Sequence, residues 1–167
     1  MNYLYHRVPQ NIKGRFLMPL NELKQKYPKI YNEHIKKYAG RMETLEDKIP
    51  PLNCLWNDVL HMTAVHPKKV YNALKSSGFK RGLNGEKWFE IDPELIDRDK
   101  TVVSVGEDSY VRFNLGDLEK YSEIRKWTLD YYKKQIRDGK IPLMFYKVPH
   151  VLFKGHLDTS KLNIITI

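Results

Sequence analysis

The chain has 167 residues, 41% of them hydrophobic, 29 Lys and Arg against 20 Asp and Glu, and one Cys; this is the length of one domain with enough apolar residues for a core. Disorder, a disulfide scaffold and a membrane span are excluded: apolar content is adequate, Cys54 has no intrachain partner, and no run of about 18 apolar residues occurs. The formal surplus of +9 favours an anionic partner such as a nucleotide, nucleic acid or an acidic protein, and the absence of a long apolar stretch in the first ten residues sets a cytoplasmic protein as the expectation.

Residues 3–8 are aromatic and β-branched and stop at Pro9, which predicts a strand; 11–14 read as a turn. Residues 20–38 carry Leu20, Leu23, Tyr27, Ile30, Tyr31, His34, Ile35 and Tyr38 at helical spacing. Pro28 divides this stretch into two predicted helices, because a proline removes a backbone hydrogen bond and its ring collides with the preceding turn. Asn21 is a candidate cap for the first and Gly40 a candidate stop for the second. Ile49-Pro50-Pro51 reads as rigid and extended. Residues 59–63 predict a short strand, and Pro67 opens a helix over 68–77 that Gly78 ends.

Residues 87–91 predict a strand, followed by a turn at Asp92-Pro93. Residues 101–105 and 110–115 are β-rich, and Gly106-Glu107-Asp108-Ser109 between them signals a hairpin. Residues 117–138 predict the longest helix, with Leu118, Tyr121, Ile124, Leu129, Tyr132 and Ile136 on its apolar side and Gly139 at its end. Residues 142–153 predict a strand that bends or lies at an edge around Pro149, and 163–167 a last strand. Six or seven strands and four helices that do not alternate strictly predict an α+β fold, a single domain over 1–167 with a mixed or mostly antiparallel sheet.

The charge is segregated. Residues 1–41 are net +7, 42–66 net −3, 67–87 net +5, 88–123 net −6 and 124–167 net +6. Tyr5-His6-Arg7-Val8-Pro9 also matches Phe145-Tyr146-Lys147-Val148-Pro149 in character, and a Lys-Gly pair follows each proline within a few residues. If both are strands, they are expected as sheet neighbours, which would bring the basic ends together into one positive face.

Several chemistries are absent by motif. No phosphate-binding P-loop or G-x-G-x-x-G occurs, no G-x-S-x-G hydrolase elbow or kinase signature set, no RNA-recognition signature, and a lone Cys rules out Cys-rich zinc patterns. The histidines carry the remaining information. His6, His61, His66, His150 and His156 lie on or beside predicted strands, while His34 lies in a predicted helix. His66 and Thr63 stand just before the helix at Pro67, where unpaired backbone N–H groups favour an anion. The spacing of the histidines fits no recognised ligand pattern, so no metal site is expected. Trp56, Trp88 and Trp127, with 11 Tyr and 6 Phe, serve mainly a core, although aromatic faces also stack bases.

Leu4-Tyr5-His6, followed by Leu17-Met18-Pro19-Leu20-Asn21-Glu22-Leu23, resembles the opening of ADP-ribosyltransferase folds in the branch with a His-Tyr-Glu triad. Val59-Leu60-His61-Met62-Thr63 ahead of the Pro67 helix, with the small Ala73 within it, is similar to the second strand of the NAD site. Val148-Pro149-His150-Val151-Leu152-Phe153-Lys154-Gly155-His156-Leu157 resembles the closing strands of the DNA-targeting members. The resemblance implies an ADP-ribosyltransferase-like fold with NAD as cofactor. His6, His61 and His150 are then the candidate catalytic residues, and Arg7, Thr63, His66 and Tyr146 the candidate cofactor contacts. His150 stands where the family carries its glutamate, and a histidine does not supply that negative charge; the triad Tyr has no counterpart on a strand. The chain also resembles small uncharacterised bacterial proteins with a Tyr-His-Arg-Val-Pro start and the run Leu55-Trp56-Asn57-Asp58-Val59-Leu60-His61. Two further readings stand beside NAD binding: a non-enzymatic basic module for nucleic acid or an acidic protein, and a hydrolase or lyase with His6, His61 or His150 as general base.

Overall fold

The computed structural model describes residues 2–82, 85–106 and 109–167. In chain order the elements are β1 Leu4–Arg7, β2 Phe16–Leu17, α1 Leu20–Lys26, α2 Pro28–Ile35, β3 Lys48–Ile49, β4 Cys54–Leu55, β5 Leu60–Met62, α3 Pro67–Ser76, β6 Lys87–Ile91, β7 Thr101–Gly106, β8 Ser109–Arg112, α4 Lys126–Arg137, β9 His150–Phe153, β10 Leu157–Asp158 and β11 Asn163–Thr166. They form a three-stranded sheet in the order β1-β6-β11, a four-stranded sheet in the order β5-β9-β7-β8, and two short ladders, β2 with β10 and β3 with β4. All these ladders are antiparallel. The fold is α+β.

Side chains of residues paired across a ladder point to the same face, and the face alternates along each strand. Leu4 pairs with Ile91 and His6 with Phe89, so Leu4, Phe89 and Ile91 share one face of the smaller sheet. Leu60 pairs with Phe153 and Met62 with Val151, while Val103 joins Val151 from the other side. Both sets belong to one buried cluster, so the two sheets close face to face around it. Burial of each such side chain stabilises the fold by about 1.5–3 kcal/mol. A second cluster of Val65, Val70, Leu74, Tyr132 and Val148 lies beneath α3 and α4. A third, of Ile49, Val59, Val102 and Leu152, lies on the outer face of the larger sheet.

Most local expectations hold. Pro28 starts α2 directly after α1, and Pro67 and Gly78 bracket α3. The prolines at 50 and 51 instead open a short 3-10 turn, Pro50–Leu52, closed by Asn53 in the left-handed region (φ 46°). Asn21 does not cap α1; it donates to Asp58 Oδ1 at 2.7 Å. Strands β7 and β8 pair as a hairpin, and the central residues of the expected turn, Glu107 and Asp108, lie outside the described residues.

Two expectations are corrected. The helix expected over 117–138 is a 3-10 segment, Leu115–Tyr121, and then α4. Ser122 bonds back to the Glu119 carbonyl, and Arg125 is extended (ψ 154°). The chain must turn here because Leu118 is buried in the inter-sheet cluster whereas Tyr132 is buried in the helical one. The strand expected over 142–153 is confined to β9. Its first half turns instead, with Lys147 at φ 63°, because the helices satisfy its backbone. The Leu143 N–H donates to the Tyr131 hydroxyl, and Thr128 Oγ1 donates to the Lys147 carbonyl at 2.8 Å. The Phe145–Pro149 segment is therefore not a strand beside β1, and the expected pairing of the two similar segments does not form. The chain ends nevertheless meet by another route: β1 and β11 flank β6 on its two sides.

Candidate functional site

The two sheets are joined at a single place. Tyr5 N–H donates to the Thr63 carbonyl at 2.8 Å and Thr63 N–H returns to Tyr5 at 3.1 Å, an isolated bridge between β1 and the chain just beyond β5. No ladder extends this bridge along β1 and β5 among the described residues. His6 follows the bridge on β1, and His61 lies beside it on β5.

Strand alternation then aims the next pair. Leu60 and Met62 point into the inter-sheet core, so His61 points to the outer face of the larger sheet. His61 is opposite Leu152, and His150, two residues before Leu152, projects on that same face. The rings meet: His61 and His150 have centroids 6.2 Å apart at an interplanar angle of 83°. Trp56 completes the group at 4.6 Å from His61 and 6.0 Å from His150. It is carried by the short turn Trp56–Asp58, whose Asp58 carboxylate accepts the Leu55 N–H at 2.7 Å.

These imidazoles hold protons poorly. Burial pushes the His61 pKa down to about 3, aided by His150, Lys37 and His6 and opposed by its bond to Trp56. Burial likewise pushes His6 down to about 4, with Lys37 and His34 adding to the effect and a bond to the Arg7 carbonyl opposing it. His150 is lowered by burial against a bond to the Val148 backbone. All three rings are partly open to solvent yet crowded by protein. In the neutral state His61 Nε2–H donates to the Trp56 carbonyl at 2.7 Å, and His6 Nδ1–H donates to the Arg7 carbonyl at 2.6 Å. The second nitrogen of each ring therefore carries a lone pair.

The segment after α2 is the roof. Neither α1 nor α2 buries a residue fully, so side-chain tethers hold this unit in place. Tyr38, buried in the turn Lys36–Tyr38, donates to Asn57 Oδ1 at 2.7 Å. Glu22 meets His156 Nε2 at 2.7 Å. Lys37 and Arg41 both lie over the Tyr38 ring, at 5.1 and 5.2 Å from its centroid. Removing the Tyr38 hydroxyl leaves the Asn57 oxygen buried without a donor, which costs about 1–3 kcal/mol. Tyr38→Phe is therefore expected to lower the urea midpoint without changing the slope; an unchanged midpoint would show that the roof is not held by this bond.

His6, His61 and His150, expected separately from the sequence, are thus brought together. The other candidates are not. Arg7 forms an ion pair with Glu86 at 2.6 Å. Thr63 is buried, and its Oγ1 accepts the Val65 N–H. His66 Nδ1 accepts the Lys68 N–H and so occupies the α3 start itself, with its ring against Tyr5. Tyr146 packs on Tyr131 at 4.7 Å. Sequence reasoning left out Trp56 as a wall of the site, although it belongs to the quoted run ending in His61. It also left out Lys37, Arg41 and Asn57, whose roles depend on how α2 docks. Among the described residues no three His, Cys, Asp or Glu side chains are placed to hold a metal ion. No helix among them is long and apolar enough to cross a membrane. Comparison with protein-family models, with curated proteins and with solved structures gives no match.

Proposed function

We propose that this protein binds NAD or a related nucleotide in the cleft between β1 and β5, on an ADP-ribosyltransferase-like fold. The observation that carries this reading is the convergence of His6, His61 and His150 from three strands distant in sequence, with Trp56 between them. Neutral imidazoles offer both donor and acceptor nitrogens to ribose hydroxyls, and Trp56 offers an apolar wall to a base. The triad holds no carboxylate, so the site lacks the negative charge that would stabilise a cationic, oxocarbenium-like transition state. Binding is therefore the primary activity in this reading, and group transfer would need an acid from the acceptor. Calorimetry with NAD is expected to show a saturable site that His6→Ala and His61→Ala each weaken about tenfold or more, the loss of about 1.4 kcal/mol or more. No heat at millimolar NAD would sink the reading.

A second reading is favoured by a separate observation. The strands β1 and β11 carry the basic ends of the chain onto the two sides of β6, which suits a non-enzymatic surface for nucleic acid or an acidic protein. Such binding weakens steeply with salt, because bound counterions are released from the polyanion. It would be indifferent to His6→Ala, which separates the two readings.

A further inference from the structure

Cations in this fold are mostly matched by neighbours. Arg7 pairs with Glu86, Arg15 with Asp158, Lys26 with Glu22 and Lys69 with Glu123. Lys37 and Arg41 differ. Neither has a carboxylate within ion-pair distance among the described residues, and the Arg41 guanidinium is turned back onto the Lys37 carbonyl at 3.2 Å. They stand at the roof of the histidine cleft, fixed there by the Tyr38–Asn57 hydrogen bond beside Trp56. Asn57 itself is fully buried, and its Nδ2 has no protein acceptor among the described residues.

We propose that Lys37, His6 and His61, with Arg41 behind Lys37, form a phosphate site, and that it takes the diphosphate of a nucleotide together with protons from solution. The inference rests on the nucleotide-binding reading and adds where the charged part of the ligand sits. Three features combine. Two cations lie at one mouth of the cleft with no carboxylate partner. Two imidazoles each have one nitrogen fixed on a backbone carbonyl and the other free. And the charge of Lys37 acts on both rings and on His34, so all of them share one small volume.

The empty site is a frustrated one. Burial, and then Arg41, lowers the pKa of Lys37, and the rings beside it are neutral. The charged or titratable groups acting on these rings are Lys37, His34, His6, His61 and His150, with Glu33 acting on His34 and already accepting from Asn11 at 2.6 Å. An anion reverses the balance. Each free imidazole nitrogen takes a proton from water, becomes an N–H donor and bonds to a phosphate oxygen, while its other N–H keeps its carbonyl. No covalent bond forms or breaks; the proton comes from buffer and returns there on release. Charge-assisted bonds of this kind are about twice as strong as neutral ones. By linkage, each proton taken up tightens binding up to about tenfold for every unit by which the pH falls.

The test uses the full chain, with NAD and inorganic pyrophosphate as probes and adenosine as the uncharged control. The diphosphate of NAD does not titrate near neutral pH, so proton uptake belongs to the protein. NAD calorimetry at pH 7.5 and 6.0, in buffers of different ionisation heat, is expected to show uptake of about one proton and at least a fivefold gain in affinity at the lower pH. At pH 7.5 pyrophosphate is expected to compete with NAD. Lys37→Gln should weaken both ligands about tenfold with the melting temperature unchanged, and Lys37→Arg should restore them. His61→Gln should reduce proton uptake. If NAD binds with no proton uptake and no response to Lys37→Gln, the phosphate site is overturned while the nucleotide reading stands. If pyrophosphate binds in a Lys37-dependent way and NAD does not, the phosphate site stands and the nucleotide reading falls. If neither binds, both fall.

Discussion

Acidification from pH 7.5 to 4 is expected to strip this protein of a stability component that His61→Gln does not carry. In the folded chain burial holds the His61 pKa down at about 3 and the His6 pKa at about 4. In the unfolded chain both titrate near 6.5. Above pH 6.5 the rings are neutral in both states, and the full stability is present. As pH falls below 6.5 the unfolded state binds protons first, so folding becomes progressively less favourable, down to about pH 4 for His6 and about pH 3 for His61. Each unit of displacement is worth about 1.4 kcal/mol. The rings are partly solvated, and screening reduces that figure, so the combined loss is on the order of a few kcal/mol. Gln at 61 keeps a donor for the Trp56 carbonyl but has no proton to gain. Urea unfolding at pH 7.5, 6, 5 and 4 should show the wild type losing stability faster than the variant. Parallel curves would mean that His61 is not held neutral, and the charge argument for the cleft would fail with it.

Tyr132→Ala is expected to be the most damaging single truncation outside the cleft. Tyr132 is fully buried in the cluster beneath α3 and α4, and its hydroxyl bonds the Met144 carbonyl. Truncation empties a volume that Val70, Leu74 and Val148 fill only in part, at a cost of about 3–5 kcal/mol. That lowers the melting temperature by about 10 °C in a domain of this size. Tyr132→Phe keeps the ring and loses only the donor, leaving a buried carbonyl unpaired at about 1–3 kcal/mol. The ratio between the variants is the useful readout. If Phe costs as much as Ala, the hydrogen bond rather than packing holds the 142–149 segment against α4. If neither is destabilising, that segment is not docked as described.

The 142–149 segment also shows where a sequence misleads. Met144, Phe145 and Val148 have strand-like character, and Pro149 alone advised against a regular strand. They bury their side chains against helices instead, which periodicity cannot distinguish from burial in a sheet. The break in the helix expected over 117–138 has the same origin: Leu118 and Tyr132 fit one apolar stripe, but they serve different cores.

What the sequence determined by itself is local. Pro28, Pro67 and Gly78 set helix ends through the backbone's own sterics, the alternation in 59–63 and 101–105 set strands, and the mismatch between strand and helix order set the α+β class. The basic ends and the three separate histidines were legible as candidates. Only the tertiary structure decided that His6, His61 and His150 share one cleft. That depends on the Tyr5–Thr63 bridge and on the register of His61 opposite Leu152, pairings between residues far apart in the chain. Only it decided that Arg7 and His66 spend their polar groups on Glu86 and a helix start while Lys37 and Arg41 keep theirs uncompensated. Local propensity acts over a few residues, whereas the placement of a charge depends on which distant surface packs beside it.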